Sequence, residues 1–415
     1  MKQNKNILNY LFICIVINMI PTIMLGTFNV PVKVYTMANG IAYFVELMLM
    51  IYSIRKNIMH ISNKKISMIL LLACVQLITQ GINYIKQHNI ILEDIINIMS
   101  VTTNIFIFIL CVPYSEVNEK DTVNFMKKIV ILGIAMGIFN LIKNGTKMLQ
   151  LSKLISSYSV SFSSLFPNRN QFGIFMIISV LSNLYVRQYN KNSFYRLTEI
   201  FFIFNLAFTM SRNSILGLFC VYVFKFILDI KKKKTTKKKI LLGLLAMLII
   251  VCCMVIVISN EKYIEVVYRL IIRPDTLETG SGRTIAWKNG IEIAIKNNIV
   301  LGVGRFKGIE LNKTVYNSDL EYFHSLYVET LVTYGVIGII LMAVLFKFII
   351  KGIKKCFLKE GHKNVLLTAI GVFLVISIFE TTTRFSIGYA DMMSMIYFIT
   401  VPIVFSNANK DSKNN

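Results

Sequence analysis

Long apolar stretches separated by short polar segments recur along the whole 415-residue chain. A helix of about 17–25 apolar residues is long enough to cross the hydrocarbon core of a bilayer. The pattern therefore predicts an all-α polytopic membrane protein of about twelve transmembrane helices. The predicted spans are 7–28, 34–54, 66–85, 95–112, 129–142, 172–186, 197–210, 213–230, 240–258, 326–350, 364–380 and 387–405. Three of them, 129–142, 172–186 and 197–210, are short and can extend into their flanks.

Composition and charge agree with this interpretation and add an orientation. The chain is 55% hydrophobic and 16% charged, with a net charge of +24, which is outside the range of soluble globular proteins. With a cytoplasmic N-terminus, the dense basic runs, such as KKKKTTKKK at 231–239 and the run at 351–363, all lie on the cytoplasmic side. We expect both termini to be cytoplasmic. The basic runs lack interleaved aromatic residues and a domain to present them, so nucleic-acid binding is disfavoured.

The spans divide the chain into three parts. Residues 1–258 form helices one to nine with an outer loop at 143–171, residues 259–325 form a large extracytoplasmic loop, and residues 326–415 form the last three helices and a cytoplasmic tail. The seven cysteines lie in spans or on the cytoplasmic side, so no disulfide is expected. The four histidines are scattered without metal-ligand spacing, so we predict neither a metal nor a cofactor.

Arginine, rather than lysine, collects on or near the outer face. A guanidinium group matches phosphate oxygens in bidentate fashion, so the set indicates an anionic ligand such as a lipid pyrophosphate. Arg212 lies at a polar break between two apolar stretches, where the alternative is a snorkelling helix-end side chain. Arg169, in FPNRNQFG, has turn chemistry as its alternative. The arginines on this face are Arg169, Arg212, Arg269, Arg273, Arg283, Arg305 and Arg384.

The large loop carries further candidate groups. His324, at the outer edge of the tenth span, can accept a proton or hold a hydroxyl group, although a lone interfacial histidine is often only a satisfied polar residue. If the helix already includes its neighbours, Glu321 shares a face with His324 and Glu329 does not. Trp287 is interpreted as an interfacial anchor in preference to a sugar platform. The glycines of LGVG, 301–304, lack a nucleotide fingerprint and predict a tight turn.

TMSRNSILGL, GRTIAWKNGIEIAIKNNIVLGVGRFKG and HSLYVETLVTYGVIG together resemble the bacterial O-antigen polymerase and ligase family over residues 165 to 340. The family pattern has Gly-x-Gly and, some twenty residues later, His-Asn, a hydrophobic stretch and Glu-x-Gly or a relative of it. Two positions depart from it: Ser325 follows the histidine, and Tyr334 lies between Thr333 and Gly335 where an acidic residue is common.

The resemblance implies a metal-independent glycosyltransferase with the multi-helix, GT-C-like fold of lipid-linked-donor enzymes, in the bacterial cytoplasmic membrane. Its substrate would be a polyprenyl-pyrophosphate-linked oligosaccharide, and its partners would be membrane lipids and a flippase and chain-length regulator of the same pathway. In that reading His324 and Arg212 are catalytic, and Glu321 and Glu329 support them. The pyrophosphate is held by Arg283 and Arg305, with Arg169 and Arg384 as lesser candidates.

Other functions stay open at this point. Within the family, a ligase differs from a polymerase only in its acceptor; the Lys/Asn/Ile-rich composition favours a Gram-positive host and therefore a polymerase of capsular or exopolysaccharide repeats. A flippase for the same lipid-linked sugars needs ionisable groups along a route through the membrane. Its candidates are Glu46, Lys225 and Asp391. A scaffold for other polysaccharide enzymes would not depend on the outer arginines.

Overall fold

The computed structural model describes residues 5–28, 30–55, 119–148, 162–231, 283–318, 323–356 and 358–380, and all regular secondary structure within them is α-helical. The helices, numbered in the order in which the described residues contain them, are α1 (Lys5–Phe28), α2 (Val32–Arg55), α3 (Glu119–Met148), α4 (Arg169–Tyr189), α5 (Ser193–Phe208), α6 (Arg212–Lys231), α7 (Arg283–Asn297), α8 (Arg305–Tyr316), α9 (Leu326–Lys355) and α10 (Glu360–Ile376).

The helices coincide with eight of the twelve predicted spans; 66–85, 95–112, 240–258 and 387–405 lie outside the described residues. Two of the three short spans extend into their flanks as expected, to form α3 and α4, whereas α5 has only 16 residues. Among the described helices, three are long and apolar enough to cross a membrane: α3, α6 up to Ile230, and α9. The number of twelve spans therefore stays a prediction.

Helix α4 is the centre of the described bundle. Every residue from Gln171 to Val186 is buried, and α3, α5, α6 and α10 pack around it. A helix that is covered on all sides must satisfy its polar side chains internally. Ser179 donates to the Phe175 carbonyl oxygen, and Asn183 donates across the α4–α5 hairpin to the Tyr195 carbonyl oxygen. This explains how α4 accommodates polar residues inside an apolar core.

The bundle has two chemically different ends. At one end, which we call the arginine end, α4, α6 and α9 begin and α10 finishes. A hydrogen bond of 2.9 Å from Leu326 N–H to the Ser377 carbonyl oxygen joins the start of α9 to the end of α10 there. At the opposite end, which we call the lysine end, α3 and α10 begin and α4, α6 and α9 finish. The lysine end includes the last turn of α9, with Lys354 and Lys355.

Helix α9 is broken at Gly335, whose φ of 65° and ψ of −162° are not helical. The turn between α7 and α8 fills the break. Val336 N–H donates to the Ile299 carbonyl oxygen at 2.8 Å and Ile337 N–H to that of Val300 at 3.3 Å. In the other direction, Val303 N–H donates to the Val332 carbonyl oxygen at 2.7 Å. We call residues 298–304 with residues 332–337 the clip; it fixes α7 and α8 on α9.

Two glycines make the clip possible. A Cβ atom on Gly335 would lie 2.2 Å from the Val300 carbonyl oxygen, and one on Gly302 would lie 2.6 Å from the Thr333 carbonyl oxygen. Both glycines also have positive φ, a backbone conformation that residues other than glycine rarely adopt. The turn is formed by residues 299–301, so only Leu301 of the predicted turn at LGVG lies in it, and the two glycines bring the backbones of the clip close together.

Candidate active site

Four of the predicted arginines lie at the first described residues of helices. Arg169, Arg212 and Arg305 are the first residues of α4, α6 and α8, and Arg283 is the first described residue of α7. A helix N-terminus carries unpaired N–H groups and the positive end of the helix dipole, so a cation is unfavourable there unless an anion is present. Arginines at these four positions therefore concentrate positive potential and hydrogen-bond donors, which is what an anion-binding site needs.

The starts of α4 and α6 are joined by short polar side chains. Asn168, the N-cap of α4, accepts a hydrogen bond from Asn170 N–H at 2.7 Å. Ser211, which precedes α6, donates to Asn170 Oδ1 at 2.8 Å and accepts from the Ser214 hydroxyl at 2.9 Å. Because of these bonds the two helix starts, and with them the backbones of Arg169 and Arg212, lie together. Arg212 is exposed.

Glu380, just after α10, contacts both the start of α4 and Arg283 of α7. Its Oε2 accepts from Asn170 Nδ2 at 3.1 Å and lies 3.4 Å from Arg283 Nη2. Its Oε1 lies 4.0 Å from His324 Nδ1. One carboxylate thus lies beside α4, α7 and His324. The sequence analysis does not select Glu380, which is the last residue of the predicted span 364–380. Its position at the end of an apolar span, four residues before Arg384, is the feature of the sequence that indicates a possible role.

His324 lies in a turn before α9 and not on a helix. Its φ of 52° is left-handed, and α9 begins two residues later at Leu326. The condition under which His324 and Glu321 share a helical face is not met at His324, because a left-handed residue cannot be part of a regular α-helix. Positive φ costs free energy in a non-glycine residue and is found where surrounding contacts enforce it.

Glu329 is one of those contacts. Its Oε2 accepts from Phe323 N–H at 3.0 Å, and its Oε1 lies 3.6 Å from Arg305 Nε. The side chain is nearly buried, and so is that of Arg305. Glu329 therefore reaches back from the first turn of α9 to hold both the His324 turn and the start of α8, although helical spacing alone favoured Glu321.

Two candidate residues, Glu321 and Arg384, lie outside the described residues, as do Arg269 and Arg273. Trp287 is one turn after Arg283, and its ring packs on Phe379 with centroids 6.0 Å apart. The indole nitrogen is buried and has no hydrogen-bond partner among the described residues. The interpretation of Trp287 as an interfacial anchor stays a prediction.

The assembled site consists of Arg283, His324 and Glu380, flanked by the starts of α4 and α6 on one side and by the Arg305–Glu329 pair on the other. Among the described residues of the site, the arginines exceed the carboxylates, and this positive excess can attract an anion. Among the described residues, no group of three or more His, Cys, Asp or Glu is arranged to hold a metal ion. Metal independence remains a prediction.

Part of the chain is similar to a known protein family. The family model described as O-antigen ligase matches residues 197–343, from α5 to the middle of α9. The matched part contains Arg212, Arg283, Arg305, His324 and Glu329. A search of curated proteins finds no match. The family match confirms the resemblance noted in the sequence over these residues and supports a role in O-antigen-related glycan transfer; with the apolar helices, it indicates an integral membrane protein.

Proposed function

We propose, from the match of residues 197–343 to the O-antigen ligase family, that this protein polymerises polyprenyl-pyrophosphate-linked oligosaccharide repeat units at the outer face of the bacterial cytoplasmic membrane. The product would be a capsular, extracellular or O-antigen-type polysaccharide. The observation that carries the proposal is the convergence of Arg283, His324 and the starts of α4 and α6 on Glu380. With both termini cytoplasmic, the arginine end would be the outer end.

In the proposed reaction, the bond between the anomeric carbon of the donor sugar and the pyrophosphate oxygen breaks, and a glycosidic bond to an acceptor hydroxyl oxygen forms. The electron pair of the broken bond stays on the pyrophosphate. Arg212, Arg283 and Arg305 would hold the pyrophosphate and stabilise this charge as it develops. Arg169 and Arg384 are the further candidates for this role.

His324 would accept the proton that the acceptor hydroxyl loses. Its Nδ1 lies 4.0 Å from the Glu380 carboxylate, and a hydrogen bond formed between them in the substrate complex would leave Nε2 to accept the proton. The side chain of His324 is 17% exposed, which leaves part of it open to a substrate. Glu380 would act through Arg283 and His324, and Glu329 through Arg305 and the His324 turn; we treat both as positioning residues.

A ligase is the second candidate, and the description of the matching family favours it. It would use the same donor and the same arginines but transfer the glycan to a lipid, polymer or protein acceptor. A flippase has less support from the structure. Lys225 pairs with Asp229 at 2.6 Å, and Asp229 accepts from Asn364 at 2.8 Å, so these charges satisfy one another near the lysine end. Asp391 lies outside the described residues.

Incubation of the purified protein in lipid with a polyprenyl-pyrophosphate-linked repeat unit and a chelator tests the proposal. A size ladder is expected from wild type and not from Arg212→Ala or His324→Ala. Arg196→Ala, which removes an exposed arginine of α5 at the lysine end, is the matched control and should give the wild-type ladder. Unchanged donor with wild type would contradict the polymerase, and candidate acceptors added next would test the ligase.

A further inference from the structure

Helix α7 is apolar on two faces. One face, including Ala286 and Ile293, is buried against α8, α9 and the His324 turn. On the opposite face, Ile291 and Ile295 are exposed and lie four residues apart, so they form one stripe; the side chain of Ile295 is 59% exposed. Residues 283–297 belong to none of the predicted spans, and in water a second apolar face would be unfavourable at about 25 cal/mol per Å².

The exposed face continues without a break onto a membrane-spanning helix. Ile299 and Val300, in the turn after α7, are exposed, and their carbonyl oxygens accept from Val336 and Ile337 N–H across the clip. Val336 and Ile340, also exposed, lie four residues apart on α9. We call this set the isoleucine surface: Ile291, Ile295, Ile299, Val300, Val336 and Ile340.

We propose that the isoleucine surface contacts the lipid of the leaflet at the arginine end, so that α7 lies in the membrane interface and not in the aqueous space above it. The occupant is argued from continuity. Helix α9 is long and apolar enough to span a bilayer, so the exposed Val336 and Ile340 face lipid, and the neighbouring Ile299 and Val300 extend that same surface.

The clip supplies an independent argument. A break in a helix at membrane depth leaves backbone N–H groups without helical partners, and the bilayer core provides no water to satisfy them. At Gly335 the freed N–H groups of Val336 and Ile337 are instead satisfied by the carbonyl oxygens of Ile299 and Val300. This is the arrangement that a lipid environment requires of a broken helix, whereas in water the same N–H groups could bind solvent.

The distribution of charge on α7 fits the same placement. Lys288 is exposed beside the Ile291–Ile295 stripe, where its aliphatic stem can lie along lipid and its ammonium group can reach phosphate oxygens. Arg283 and Arg305, at the starts of α7 and α8, would then lie at headgroup depth. A pyrophosphate attached to a membrane lipid could reach them without lifting its chain out of the leaflet. The placement itself goes beyond the proposed function and does not depend on it.

Tryptophan fluorescence tests the proposal, because Trp287 is the single tryptophan of the chain. In a Trp287→Phe background, Ile295→Trp places a reporter on the isoleucine surface, and Lys313→Trp places the matched control on the exposed side of α8. Each protein is reconstituted in phosphatidylcholine vesicles with and without bromine at the 6,7 positions of the acyl chain. We expect the brominated lipid to reduce the emission at position 295 at least twofold more than at position 313.

Equal quenching at the two positions would overturn the proposal. Weak quenching at 295 together with protection from aqueous acrylamide would also overturn it, because the surface would then be covered by another protein chain. Wild-type Trp287, one turn before Ile291, provides a reading without any substitution if the Phe variant does not fold. Its emission should be reduced more by the brominated lipid than by aqueous acrylamide, and the reverse order would contradict lipid contact.

Discussion

The two ends of the bundle use charge in opposite ways. At the lysine end, several partly buried acids and bases pair within the protein: Arg187 pairs with Glu199, which also accepts from the Tyr222 hydroxyl at 2.6 Å, and Lys225 pairs with Asp229. At the arginine end, arginines sit on helix starts, where the dipole adds to their charge, and the described carboxylates are fewer than the arginines. Paired charges stabilise a structure, whereas arginines at helix starts, where the dipole adds to their charge, can also bind an external anion.

The histidines of the two ends show the same difference. His362, at the lysine end, has no exposed side-chain surface, packs on the Tyr185 ring with centroids 4.3 Å apart, and has Nδ1 3.3 Å from Glu119 Oε1. His324 is partly exposed, lies on a turn with positive φ and faces Glu380. Residue type alone therefore does not distinguish the two histidines, whereas exposure and backbone conformation do.

The largest predicted effect separates these two histidines. His324→Ala should lower the rate of glycan transfer by about 10²–10⁴-fold, the range that a general base contributes. His362→Gln should change the rate by less than about threefold while lowering stability, since a buried ring is replaced. Rates from the product ladder, with thermal unfolding midpoints of both variants in detergent, check this. A larger rate loss for His362→Gln than for His324→Ala would reverse the assignment.

Glu380→Gln should have the next largest effect, a loss of roughly tenfold to a hundredfold in rate, because small displacements of reacting groups carry penalties of this size. The amide keeps the size of the side chain but loses the charge that orients Arg283 and His324. The pH dependence of the rate should also change, which a purely structural role would not produce. Glu310→Gln, on the exposed side of α8, is the matched control. An unaltered pH profile in Glu380→Gln would contradict the role of Glu380 in positioning Arg283 and His324.

Gly335→Ala tests the clip and should destabilise the protein by about 1–3 kcal/mol, the usual range for a strained backbone position. The added Cβ meets the Val300 carbonyl oxygen, so α7 and α8 should loosen from α9 and transfer activity should fall with stability. Gly145→Ala in α3 is the control, because a Cβ there has no atom within 4 Å. Equal thermal midpoints for the two variants would show that the close contact in the clip does not matter.

The smallest predicted effect is a pH dependence at the lysine end. Burial lowers the pKa of His362, which lies two residues before the predicted span 364–380, although Glu119 opposes the shift. Because the pKa is lower in the folded state, the contribution of neutral His362 to stability is complete above the unfolded value of about 6.5. It is lost as the pH falls through the folded value. The thermal midpoint of wild type should therefore decrease below pH 6.5 more than that of His362→Gln, and parallel decreases would contradict this.

Local patterns in the sequence predicted most of the described fold and part of the site. Apolar periodicity located the helices that coincide with predicted spans, and the preference for arginine over lysine selected Arg283 and Arg305, which the structure places in ion pairs beside the His324 turn. The break at Gly335 was not predictable in this way, because its hydrogen-bond partners, Ile299 and Val300, are more than thirty residues away. Glu380 was missed for the same reason, since its role arises from contacts with residues that only the fold brings near.

Binding of a polyprenyl pyrophosphate to the purified protein in lipid tests the central difference between the two ends most directly. The lipid lacks a sugar, so the measurement does not depend on whether the protein is a polymerase or a ligase. Arg283→Ala should weaken binding at least tenfold, about the effect of losing a charge-assisted pair, whereas Arg196→Ala at the lysine end should leave it unchanged. Equal affinity in wild type and Arg283→Ala, or a greater loss in Arg196→Ala, would contradict the assignment of the anion site to the arginine end.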